Sequence, residues 1–192
     1  ADTEAAVAGA EFGLYAKNDM KGHGAVIVKA GTLLGKAVSG EDGKAVFTQN
    51  LPFGEYYIKE LAAPDGYVSS DEVMEVKAEY QGQDVKVVQL SSVFKNQPTK
   101  VVVSKSDLTT GVELSGATLT VLDKAGNAVD TWKSVKGEQH LIERLTVGET
   151  YTLREEMAPY GYLKAEEITF TIEDTGEIQK VEMKDDVPTG TI

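Results

Sequence analysis

The chain has 192 residues, 41% of them hydrophobic, enough apolar surface to build folded cores. Its 31 acidic against 19 basic residues give a net charge of −12, which argues against binding nucleic acid or anionic membrane surfaces. With no cysteine it can form neither disulfides nor thiolate metal sites, and no apolar run is long enough to span a bilayer.

In chain order, the first feature is Ala8-Gly-Ala-Glu-Phe12, followed by glycine-punctuated sequence that includes Asn18 to Gly24 and Ala30 to Gly35. We read this stretch, about residues 17–43, as an insertion forming an elaborated loop or hairpin. Next comes Tyr56-Tyr-Ile-Lys-Glu-Leu-Ala-Ala-Pro-Asp-Gly-Tyr67, whose frame Tyr-x-(Ile/Leu)-x-Glu-x-x-Ala-Pro-x-Gly-Tyr returns at Tyr151 to Tyr162. A frame repeated at such a distance sets the domain count at two, residues 1–98 and 99–192. The junction around Gln97 to Lys100 is short and holds a proline, which predicts a stiff end-to-end arrangement.

The second repeat reads as seven short strands: Val101 to Lys105, Ala117 to Leu122, Val129 to Ser134, Gln139 to Arg144, Glu149 to Glu155, Glu166 to Ile172 and Ile178 to Asp185. Turn signals such as Asp107 to Gly111 and Asp123 to Asn127 separate them, and no helix of ten or more residues is indicated. The expected fold is all-β, two tandem seven-stranded antiparallel Ig-like sandwiches.

Strand parity directs three polar side chains at the second core. Alternate residues share a face, so Lys105 lies with Val101 and Val103, Glu155 with Tyr151 and Leu153, and Asp185 with Val181 and Met183. Parity alone admits a compensated salt-bridge network, or strand-end residues that turn out to solvent. It also admits chemistry. Burial disfavours charge, and a neutral amine held against a protonated carboxyl is a nucleophile facing an electrophile. A second carboxyl could relay the proton and release water, leaving a Lys-Asp amide. Asp186 competes as acceptor, but its parity points it the other way.

The runs Val103 to Asp107, Gly111 to Ala117, Tyr151 to Tyr162 and Val181 to Asp185 closely resemble Cna B-type (SpaA-like, prealbumin-like) domains of Gram-positive pilins and surface adhesins. The resemblance covers most of residues 99–186 and, with the insertion, residues 5–98. It implies that Glu155 promotes a spontaneous isopeptide bond between Lys105 and Asp185. In the first repeat Glu60 matches Glu155 and Asn96 matches Asp185, but the lysine position falls before Ala1. Lys17 and Lys95 are the alternatives, without motif support.

The implied function is a structural stalk module of an extracellular, cell wall-anchored protein, not an enzyme in the multiple-turnover sense. The expected partners are neighbouring domains of the same protein, with a host extracellular ligand on the insertion as the alternative function. The first repeat is also a candidate for a complementing strand supplied by another segment. No cofactor or metal is expected: His23 and His140 lie far apart, and Asp185-Asp186 has no neighbours to complete a calcium cage. Val187-Pro-Thr-Gly190 resembles a sortase sorting signal of the Pro-x-Thr-Gly kind with one intervening residue missing, but its alignment with Gln97-Pro-Thr-Lys100 favours a linker into a further repeat.

Overall fold

The computed structural model describes residues 6–80 and 93–189, so Gly190 of the linker motif lies outside the described residues. The described chain is all β, with no helix among the described residues. It divides into two compact units, Ala1–Pro64 with Ser69–Asn96, and Asp65–Val68 with Gln97–Ile192.

The first unit contains β1 (Glu11–Ala16), β2 (Met20–Gly22), β3 (Ala25–Val28), β4 (Leu33–Val38), β5 (Gly54–Ala62) and β6 (Val73–Ala78). Four of them form one antiparallel sheet in the order β4-β1-β5-β6, while β2 and β3 make a separate hairpin. The range read as an insertion therefore holds two different things: a true hairpin, and then β4, an integral strand of the sheet. Leu14, Tyr56 and Ala78 are buried, with Met20, Leu34, Phe47, Leu51, Ile58 and Val76 packed around them.

The second unit contains β7 (Lys100–Asp107), β8 (Thr118–Leu122), β9 (Ala128–Lys133), β10 (His140–Glu143), β11 (Thr150–Met157), β12 (Ile168–Thr171) and β13 (Ile178–Asp185). Two sheets, β10-β7-β13 and β12-β11-β8-β9, enclose a core that includes Val101, Val103, Leu119, Val121, Leu153, Ile172 and Met183. One pairing departs from the antiparallel expectation. The strands β7 and β13, first and last in this unit, run parallel, with Lys105 opposite Met183 and Asp107 opposite Asp185. This is possible because the five intervening strands carry the chain away and back, the long crossover a parallel pair requires.

One sheet of each unit follows a common plan. The β4-β1-β5-β6 order corresponds to β9-β8-β11-β12. Gly9 and Gly116 both adopt positive φ (90° and 95°), a region open to glycine because it lacks Cβ. Each donates its N–H to a serine carbonyl, Ser39 at 2.8 Å and Ser134 at 2.9 Å. The same serines accept the following alanine N–H on their hydroxyls, both at 3.0 Å. Nothing local in the sequence marks these serines, because each closes a contact 17 or 29 positions away.

Within the second unit, Asp65–Val68 joins residues that follow the junction. Val68 N–H donates to the Gln97 carbonyl (2.8 Å), Thr99 N–H to the Gly66 carbonyl (3.0 Å), and the Arg144 guanidinium sits over the Tyr67 ring.

Candidate functional site

Three buried ionisable side chains meet in the second unit. Lys105 comes from β7 and Asp185 from the adjacent parallel strand β13, two positions beyond Lys105's register partner Met183. Glu155 comes from β11 in the facing sheet. Alternation explains why each points inward: along β11, Tyr151, Leu153 and Glu155 are buried while Thr152 and Arg154 are half-exposed. Lys105, Glu155 and Asp185 are 3%, 0% and 1% exposed, so the strand-end escape to solvent does not occur.

The Lys105 amine donates to Asp185 Oδ1 in a very close contact and lies 3.0 Å from Glu155 Oε1. The second distance is that of an ion pair, but Oε1 receives no aligned hydrogen bond, and neither does Asp185 Oδ2. Glu155 is anchored through its other oxygen, Oε2, which accepts the Ala165 N–H at 2.7 Å. Asp185 is anchored through its main chain, its carbonyl accepting the Leu108 N–H at 2.8 Å.

Two buried carboxyl oxygens without a hydrogen bond are expensive if both groups are ionised. Burial pushes the Asp185 carboxyl above its ordinary value; the Lys105 amine opposes that shift and the neighbouring Glu155 carboxyl adds to it. Asp185 is therefore easier to protonate than an ordinary carboxyl, while it touches the amine and a second carboxyl lies 3.0 Å from the same nitrogen. Asp186, the competing acceptor, is exposed and uses its side chain to cap the Val187 N–H. Tyr162, closing the repeated motif, donates its hydroxyl to Asp107 Oδ2 at 3.0 Å.

The first unit holds a partial counterpart. Glu60 Oε2 accepts the Ser70 N–H at 2.8 Å, ten residues downstream, just as Glu155 accepts from Ala165. Glu60 Oε1 accepts from Asn96 Nδ2 at 2.6 Å. Thus Glu60 and Asn96 are brought together, but among the described residues no lysine amine pairs with Glu60. Lys17 is bound to Glu75 at 2.7 Å, and Lys95 is exposed.

The model of the SpaA prealbumin-like fold domain matches this chain twice, over residues 1–91 and 99–187. The chain belongs to that family, in two tandem copies. Its prealbumin-like domains share their fold with solved structures. The Bacillus anthracis TIE protein is 26% identical with a TM-score of 0.54, over 97% of this chain and 32% of that one. This chain therefore spans about a third of that protein's length. A C-terminal fragment of the pilus adhesin SpaC from Lactobacillus rhamnosus GG is 18% identical with a TM-score of 0.51, covering 96% of this chain and 91% of the fragment. No curated protein matches.

Sequence reasoning missed the groups that position the acids. Ser70 and Ala165 act through main-chain N–H, which leaves no residue-type signal, although their common ten-residue offset from the glutamates was available to find them. Among the described residues no cluster of three or more His, Cys, Asp or Glu forms a metal cage.

Proposed function

We propose that this chain is a structural module of an extracellular, cell wall-anchored Gram-positive pilin or adhesin, its second domain closed by an amide between Lys105 Nζ and Asp185 Cγ. The observation that supports this most strongly is the contact of the buried amine with both buried carboxyl groups. The reaction needs no outside reagent. Lys105 passes a proton to Glu155, leaving a neutral amine against protonated Asp185. The Nζ lone pair then forms a bond to Cγ. Glu155 hands its proton to the departing hydroxyl and takes one from the nitrogen, so that one water leaves and Glu155 ends as it was after the first transfer. Fixing both reactants on adjacent strands removes the entropic cost of encounter, which lowers barriers by about 7–11 kcal/mol in well-aligned cases. The chemistry consumes its own residues and occurs once, so this is not a turnover enzyme.

The mechanical role follows from topology. The bond would join parallel strands at the start and end of the second unit, 80 residues apart in sequence. Tension applied beyond both attachment points would load a covalent bond instead of unzipping hydrogen bonds. In the first domain, Glu60 and Asn96 form the same acid and acyl pair, with ammonia as the leaving group. Its amine would come from outside the described residues, for instance from a complementing strand. The expected partners are neighbouring domains of the same surface protein. The insertion hairpin exposes Val26 and Ile27, two apolar side chains of the kind ordinary surfaces carry, which gives a host-ligand site no specific support.

Single-molecule pulling tests the role. The wild-type second domain should not extend between residues 105 and 185 under load, and Lys105→Met should release that length. Equal extension of the two proteins would refute it.

A further inference from the structure

We infer that Glu113, on the opposite side of β7 from the buried acids, is a positioning residue that holds the main chain of Lys105 in place for bond formation. This rests on the amide reading given above. After the turn at Asp107 to Gly111 the chain doubles back along the end of β7. Asp107 N–H donates to the Val112 carbonyl (3.0 Å), Ser106 faces Glu113, and Leu114 N–H donates to the Lys105 carbonyl (2.7 Å). In a regular antiparallel ladder Lys105 and Leu114 would exchange both hydrogen bonds. Only one is made. The Lys105 N–H donates to the Glu113 side chain instead, at 2.9 Å from Oε2.

The carboxylate is itself oriented by neighbours. Ser104 Oγ donates to Glu113 Oε1 at 2.5 Å, and Gln139 Nε2 approaches the same oxygen at 3.4 Å. This region is where β7 most needs an edge partner. Its ladder with β10 ends at Val103 opposite His140, so from Ser104 onward only β13 flanks it as a strand. A charge-assisted hydrogen bond to the main chain of the nucleophilic residue fixes that side. The consequence is kinetic, because an ångström of misplacement costs a pre-oriented reaction about a hundredfold in rate.

The test is a time course of water loss, by intact mass after pulsed cell-free synthesis of the full chain, for wild type, Glu113→Gln, Glu113→Met and Glu113→Ala. Gln keeps an oxygen that can accept the Lys105 N–H; Met keeps the length without it. We expect Glu113→Gln to close within about threefold of wild type, and Glu113→Met and Glu113→Ala to close about tenfold to a hundredfold more slowly. Each variant is also made with Asp185→Ala, so that folding is read where no amide can form. Folded Met and Ala variants that close at the wild-type rate would overturn the role of Glu113 alone. So would loss of folding in the Asp185→Ala background, which would make Glu113 a requirement of the fold. A wild-type chain that never loses water would instead overturn the amide itself.

Discussion

Replacing Lys105 with Met removes the amine while keeping an unbranched side chain of similar length in a site that is only 3% exposed. If the amide forms, the substitution opens a loop closed between residues 80 positions apart. The chain-entropy relation for such a closure gives about 4.5 kcal/mol at 25 °C. For a domain of this size each kcal/mol moves the midpoint by roughly 4–8 °C, so the second domain should melt roughly 18–36 °C lower. Trp132 is the only tryptophan and lies in the second unit, so its fluorescence follows that unit alone, with calorimetry as the check. The pH dependence supplies a second signature. In the variant Asp185 remains a titratable acid whose folded-state pKa is raised by burial, and the amine that opposed the rise is gone. A raised carboxyl favours folding while protonated: its contribution is fully present below the unfolded value of about 3.9 and is lost as pH rises through the folded value. The variant should therefore gain stability on mild acidification relative to wild type, where Asp185 no longer titrates. A midpoint shift under about 8 °C, less than two kcal/mol on this scale, would refute the covalent account.

Other outcomes follow from the same geometry. Glu155→Ala should retain its full mass, because no carboxyl remains to relay the proton, and intact mass reads this directly. Asp185→Asn should still close, losing ammonia instead of water, which the same spectrum distinguishes. Asp107 lies below the ordinary carboxyl range because the Thr110 N–H and hydroxyl and then the Tyr162 hydroxyl donate to it. Its contribution is present above the unfolded value and lost as pH falls through the lower folded one, so in acid unfolding Asp107→Ala should flatten the stability loss below about pH 4. Gly116→Ala meets no atom within 4 Å but must adopt a φ of +95°, so it should cost about 1–3 kcal/mol in chemical denaturation from backbone strain alone.

Much of the second domain was legible because its strands alternate cleanly and its turns carry glycine, asparagine or aspartate. Period-two alternation put Lys105, Glu155 and Asp185 on inward faces, and the structure joins them. What alternation could not supply is pairing. The parallel partnership of β7 and β13 decides that Asp185 meets Lys105, and it arises from the path of five intervening strands. The hairpin and β4 were harder to separate within residues 17–43, since short glycine-rich runs read alike whether a strand joins a sheet or stands apart. The role of Glu113 was invisible for a related reason. It substitutes a side-chain acceptor for a main-chain one, and only the register reveals that a ladder bond is missing.

The most direct test of the central claim is the mass of the intact wild-type chain, followed by mapping of the peptides that carry Lys105 and Asp185. The amide predicts a chain lighter by one water, with those two peptides recovered as a single branched species. A chain of full calculated mass, yielding the two peptides separately, would contradict it.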